Sequence, residues 1–332
     1  MSVAAPAAPE RGPVEPRGTL RHRLAERGID RQLWFLVPGL VFLLALFVFP
    51  FINGLISAFT LAPAGLAGPI PGTPLADQGN YFWSNFTEFF TYTAGGNAVY
   101  RDSIFTTLLL AIPVSLFNTL LAVPLAYRMR GAFRHKRLLT MLLAVPLTLG
   151  PLFIAYGIIT YLGGGGWLSH VLAALHIAPI SWDLTRINST LAVAISLVLS
   201  GFPYAFLLVL SYISGIDPNL EQAAATLGAS SWQRFWHITA PLLAPGLAIT
   251  FCLAFVFSFS VFPSAIMLGG VGFLHTNVIA VQIYDTIVTG NGDFHFANAI
   301  SMIMATVELL VIGLVLMARS WMYRGTTTGG KG

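Results

Sequence analysis

Six long apolar runs constrain this chain more than anything else in it: 33–59, 103–127, 138–162, 190–214, 242–268 and 297–318. A helix needs about 20 residues to cross the ~30 Å hydrocarbon core of a bilayer, and every run reaches that length. The runs are continuously apolar and do not alternate, so the predicted fold is all-α, an integral membrane protein of six transmembrane helices, and a β-barrel is excluded. Only 9% of the 332 residues are charged against 56% hydrophobic, too little charge to coat a soluble surface. Prolines 113, 124, 146, 151, 203, 245 and 263 lie in or near the runs. A bundle that bends and the ordinary tolerance of membrane helices for proline both fit them.

The charges set the topology. Fifteen of the seventeen Lys and Arg residues fall in 1–31, 128–137, 217–241 and the tail after 318, leaving Arg101 and Arg186. If the spans alternate, those fifteen share one side, which the positive-inside rule makes the cytoplasm. The expected organisation is a cytoplasmic tail 1–32, a first span 33–59, an external loop 60–102, a five-helix core 103–318 and a cytoplasmic tail 319–332. Both termini are then cytoplasmic in a multi-pass protein, with the lipid bilayer as its surroundings. The sequence pI near 9.4 therefore reports membrane orientation and not nucleic-acid binding. The Ala-, Pro- and Arg-rich stretch 1–31 is expected to be disordered at first, with helix open as a reading for Leu20 to Arg31. The apolar run after it is too long for a cleavable signal peptide. Cys252 is the one cysteine, so no intrachain disulfide or thiolate cluster forms.

Between the fourth and fifth runs lies the polar segment Asp217 to Pro241. Asp217 and Pro218 suit a helix start, because Asp accepts from the free amides of a first turn and Pro at the first position loses no hydrogen bond. Leu220, Ala223, Ala224 and Leu227 follow at helical spacing and make a small, smooth face. Gly228 is a natural stop, since glycine adopts a left-handed backbone freely. Ser230 can cap a second short helix carrying Trp232, Phe235 and Trp236, with Pro241 marking the return to the membrane. A loop anchored on the membrane surface by its tryptophans explains Trp232 and Trp236, but not the Ala-Ala, Gly and Ile-Thr-Ala-Pro spacing.

This segment resembles the EAA loop of ABC importer permeases, with the pattern Glu-Ala-Ala, three residues, Gly, nine residues, Ile, one residue, Leu-Pro. Ala223, Ala224, Gly228, Ile238 and Pro241 match it, while Gln222 replaces the motif Glu and Ala240 the motif Leu. Glu221, one residue earlier, carries a carboxylate but points about 100° away on a helix. From the start of the second run onward the chain is similar to type I importer permeases with six spans and a cytoplasmic coupling helix. The resemblance implies that Glu221, Gln222, Ala223, Ala224, Gly228, Ile238 and Pro241 couple the chain to a dimer of ABC ATPase subunits. It also implies a second permease subunit and an extracytoplasmic substrate-binding protein as partners, and a place in the bacterial plasma (inner) membrane. ATP and magnesium belong to the ATPase, so this chain needs no cofactor of its own and is not an enzyme.

The sequence offers no competing chemistry. Gly325 to Lys331 fits half of a phosphate loop but lacks the magnesium-binding Ser or Thr, a preceding strand and a following helix. The seven histidines form no zinc-binding motif, and no metal or catalytic residue is expected. For substrate, the expected external loops carry Asp77, Glu88, Asp102, Asp183, Asp285 and Asp293 against Arg101 and Arg186, which favours cations. Glu308 sits mid-span, where an ionisable group is costly; a translocation-path carboxylate and a hydrogen-bonded packing group are equal readings. Tyr156 and Tyr204 are further path candidates through cation-π contact, or plain packing residues. Thr226-Leu227-Gly228-Ala229 is similar to the Asp-Leu-Gly-Ala form of this loop in permeases for polyamines, ferric iron and related small solutes, and Phe262 to Gly270 is similar to spermidine/putrescine-type permeases, so a small cationic solute such as a polyamine is expected. A sugar importer permease remains open, as does an ion-coupled secondary transporter using Glu308 as a relay.

Overall fold

The computed structural model describes residues 33–59, 83–93, 98–131, 136–177, 183, 189–269, 277–288 and 293–323. The tail 1–32, the segment 60–82 and the stretch 325–331 lie outside the described residues. The chain divides into two compact units, Met1–Gly54 and Leu55–Gly332.

In the first unit, helix α1 (Leu33–Leu43) passes through a widened π turn, Leu44–Val48, into α2 (Phe49–Ala58), which runs on into the second unit. The π turn closes with the Phe49 N–H donating to the Leu44 carbonyl, immediately before Pro50. A proline ring clashes with the carbonyl four residues back and offers it no donor. Widening the turn at that point absorbs the misfit without breaking the helix.

The second unit continues with α3 (Ser84–Thr91), α4 (Val99–Met129), α5 (Lys136–Leu162), α6 (Trp167–Ala174) and α7 (Ser189–Ser214). Then come α8 (Pro218–Thr226), α9 (Ser231–Arg234), α10 (Ala240–Phe259), α11 (Pro263–Gly269), α12 (Ile279–Val288) and α13 (Phe294–Tyr323). Across the described residues, six helical stretches are long and apolar enough to cross a membrane. No strand occurs among the described residues.

Helix α4 is the axis of this unit and contributes to all three of its apolar clusters. It packs on α7 through Ala122, Ala126 and Met129 against Ala205, Phe206, Val209 and Ile213. Fully buried Ala111, Ala122, Ala126, Ala192 and Ala205 let backbones approach closely, the usual source of contact where lipid supplies no hydrophobic drive. Gly246 of α10 is the extreme case, because a Cβ there would lie 2.5 Å from Cγ of Tyr212. Hydroxyls in this core bond back to their own helix, as in Ser115 to Ala111 O (2.6 Å) and Thr119 to Ser115 O (2.8 Å). Such bonds satisfy a polar group without a partner helix.

Two of the apolar runs are not single helices. The predicted fifth span, 242–268, divides after α10: Ser260 caps it, Val261 and Phe262 leave the helix, and α11 begins at Pro263. Proline forces the residue before it out of helical backbone and suits a helix start, so the break falls at Phe262. The third span breaks at Gly150, whose φ of 72° and ψ of 163° are non-helical, between Pro146 and Pro151. The two breaks meet: Ser264 Oγ shares a 2.8 Å hydrogen bond with Ser196 Oγ and reaches the Pro151 carbonyl at 3.5 Å.

Outside the spans, α3 lies against α13 with Phe89 fully buried and Tyr100 stacked on it at 5.7 Å. Burial, and secondarily the charge of Asp293, raises the Glu88 carboxyl from its ordinary 4.5 to about 7. Asp293 opens α13, its Oδ1 accepting from the His295 and Phe296 amides at 3.1 and 3.0 Å.

Candidate coupling surface

Every turn of the segment between α7 and α10 is fixed by a local device. Asp217 caps α8 by accepting from the Asn219 N–H at 2.9 Å, with Pro218 at the first helical position. At the other end Gly228 has a φ of +86°. Its N–H donates to the Ala225 carbonyl and the Ala229 N–H to the Ala224 carbonyl, both at 3.0 Å. That pair of bonds is a Schellman closure, which needs a left-handed residue at this position. Ser230 and Gln233 then form a reciprocal capping box, the Gln233 N–H donating to Ser230 Oγ at 3.3 Å and the Ser230 N–H to Gln233 Oε1 at 2.8 Å.

The sequence suggests a short second helix followed by a fresh start at Pro241; instead α9 flows into the membrane without a stop. A π turn, Phe235–Thr239, bridges α9 and α10, closing where the Ala240 N–H donates to the Phe235 carbonyl. Pro241 follows at once, as Pro50 follows the other π turn, and the same misfit is absorbed in the same way.

The outer face of this corner is apolar and bare. Leu227 is 89% exposed and Trp232 70%, and the Trp232 and Trp236 rings meet edge-on at 5.5 Å. Gln222, at the motif's acidic position, and Ala223 are exposed; Ala224 and Ile238 are half-buried. Between α8 and α9 lies an open cleft of about 490 Å³ lined by Ala224, Leu227, Gly228, Gln233, Arg234 and Ile238. Gln222, Ala223, Ala224, Gly228 and Ile238 thus gather at one corner, with Pro241 one turn into α10.

Glu221 faces the other way. Its Oε1 accepts from Arg130 Nη1 at 2.7 Å and from Thr239 Oγ1 at 2.5 Å, and the Tyr127 hydroxyl donates to its Oε2 at 3.4 Å. Arg130 also donates Nη2 to the Ile216 carbonyl at 2.5 Å. The Tyr127 and Phe235 rings meet edge-on at 5.1 Å beside this network. Arg130, Tyr127 and Thr239 carry no motif, and nothing in the sequence singles them out.

The candidate path residues are not brought together. Among the described residues no hydrogen bond or ring contact joins Tyr156, Tyr204 and Glu308 to one another. Tyr156 is 62% exposed on α5. Tyr204 on α7 stacks on Phe257 at 6.4 Å. Glu308 on α13 is half-buried, its Oε1 shielded from solvent with no hydrogen-bond partner among the described residues. No group of three or more His, Cys, Asp or Glu side chains able to hold a metal occurs among the described residues.

The sequence profile of a known family, the binding-protein-dependent transport system inner membrane component, matches residues 103–319, well over half of the chain. The chain belongs to this family. It is a permease subunit of an ABC importer, a multi-pass inner-membrane protein. Curated relatives include the spermidine/putrescine transport system permease protein PotB of Haemophilus influenzae, 27% identical over 75% of this permease and 86% of that protein. The molybdenum transport system permease protein ModB of Escherichia coli is 28% identical over 64% of this permease and 93% of its own length. The ferric transport system permease protein FbpB of Actinobacillus pleuropneumoniae is 28% identical over 64% of this permease, which spans only 30% of that longer protein. Among solved structures, a chain of a bacterial alginate ABC transporter in complex with an alginate-bound periplasmic protein superposes with a TM-score of 0.71. At 20% identity over 92% of this permease and 98% of that chain, this shows the shared fold.

Proposed function

We propose that this permease forms half of a translocation path with a second permease subunit, and that its segment from Asp217 to Pro241 docks on a separate ATPase subunit. The observation that carries this is the corner of α8 and α9, which is capped at every turn yet presents Leu227 and Trp232 bare to solvent. A rigid, exposed apolar knob suits a socket on another protein. Gln222, Ala223, Ala224, Gly228 and Ile238 form or flank that knob, and Pro241 lies in the base it projects from. ATP and magnesium act on the partner, whose closure drives the permease between inward- and outward-facing states. The termini and the knob then lie in the cytoplasm, and an extracytoplasmic binding protein delivers the solute to the opposite face.

The solute is a small cation, a polyamine being the model. The net negative charge of the expected external loops, the mid-span carboxylate Glu308 and the similarity to PotB support this. Tyr156 and Tyr204 serve as path residues. The test is the melting temperature of the cognate binding protein against putrescine, spermidine, ferric iron, molybdate, sulfate and maltose, since a true ligand stabilises the folded form. Stabilisation by a polyamine alone is expected. Stabilisation by maltose or an oxyanion overturns the cationic assignment while leaving the ATP-driven permease in place.

A further inference from the structure

Helix α8 is poorly fastened by ordinary means. It has no buried residue, and it hangs between the Gly215–Asp217 link and the left-handed turn at Gly228. A nine-residue helix with no buried side chain passes a push to the spans only loosely, through its chain links and a half-buried Ala224, unless something polar locks it. Glu221 supplies that lock. Its side chain is 15% exposed and that of Arg130 14%, and the two are joined at 2.7 Å. One carboxylate oxygen gathers a donor from the end of α4 (Arg130) and one from the π turn below α10 (Thr239). The same arginine holds the carbonyl of Ile216, in the link after α7.

We infer that Arg130, Glu221 and Thr239 form an internal brace that makes α8 move as one body with the adjoining ends of α4, α7 and α10. Glu221 is thereby a positioning residue and not a contact to the ATPase; the inference rests on the reading of Asp217 to Pro241 as the docking segment. The motif position, Gln222, is free to face the partner because Glu221 lies about 100° around the helix from it. Charge-assisted bonds of this kind are short and directional, so the brace is stiff. Its partial burial also makes it intolerant of half-removal, since deleting one partner strands the charge of the other in a poorly solvated site.

The test uses the full permease with its ATPase in lipid nanodiscs, with Cys252→Ala removing the native thiol. Spin labels go on Asn219→Cys of α8 and Arg128→Cys of α4, both exposed. Pulsed electron-electron resonance measures the interspin distance without nucleotide and after trapping with Mg-ATP and vanadate. With the brace intact, the distance is narrow and does not shift on trapping. In Arg130→Met it broadens and shifts on trapping while the ATPase stays bound, and the milder Thr239→Val broadens it less. Exchanging the charges, Arg130→Glu with Glu221→Arg, restores a narrow distance, as a directly coupled pair requires. A distance that shifts on trapping in the intact protein overturns the brace, as does one that stays narrow in both single variants. If instead no ATPase accompanies the unsubstituted chain, the docking reading beneath it fails first.

Discussion

Replacing Gly228 separates what its backbone does from what its surface does. Its φ of +86° is left-handed, and a Cβ built there meets nothing within 4 Å, so a small side chain costs only backbone strain within the free permease. That strain is about 1–2 kcal/mol for an ordinary residue, less for Asn, which visits this region more readily, and more for a β-branched residue. The strained turn relaxes out of the left-handed conformation in the free permease and docking must restore it; since about 1.4 kcal/mol is tenfold in an equilibrium, Gly228→Ala weakens ATPase binding by up to about tenfold. Gly228→Asn stays near the parent, and Gly228→Val falls furthest. The assay is titration of purified ATPase onto the permease in nanodiscs, read as an apparent Kd. Asp shares the left-handed tolerance of Asn, so any extra loss in Gly228→Asp, together with uncoupled transport, reports a charge placed on the docking face. Equal loss in the Asn and Val variants would refute the reasoning, because the partner's socket and not the Schellman turn would then demand glycine. Parent-like binding in all four would remove Gly228 from the docking site.

Three further outcomes are expected. Gly246→Ala places a Cβ 2.5 Å from Cγ of Tyr212, and overpacking of this kind costs about 1–3 kcal/mol; a melting temperature in detergent equal to the parent's would show that the α7–α10 contact yields. Glu88, held near 7 in the folded protein against an ordinary 4.5, binds its proton more tightly folded than unfolded. Its contribution is therefore intact below about 4.5 and is lost as pH rises toward about 7. Melts from pH 4 to 8 should show this decline in the parent and its absence in Glu88→Gln, and parallel profiles would contradict it. Glu308→Gln lowers spermidine uptake by the reconstituted transporter; unchanged uptake makes Glu308 a packing residue.

The membrane spans are legible because a bilayer demands a signal that survives any local detail, a run of apolar residues of fixed length. The ends of α8 and α9 are legible for the opposite reason, since Asp217, Gly228 and Ser230 act on backbone groups within a few residues of themselves. What escapes the sequence is what depends on distant partners or on the choice among equivalent responses to proline. Glu221 meets Arg130 across 91 positions, and nothing in either residue's neighbours announces the other. Proline in or beside an apolar run reads alike whether the helix widens, as before Pro50 and Pro241, or ends, as before Pro263. The glycine before Pro151 likewise gives no sign that α5 breaks there and not at Pro146.

The decisive measurement is photocrosslinking from Leu227, the 89% exposed residue at the tip of the corner. With p-benzoylphenylalanine at this position in living cells, irradiation should join the permease to an ATP-hydrolysing subunit, with a yield that falls in Gly228→Val. Crosslinks to lipid alone, or none to an ATPase from a permease that is present and inserted, would contradict docking at this surface.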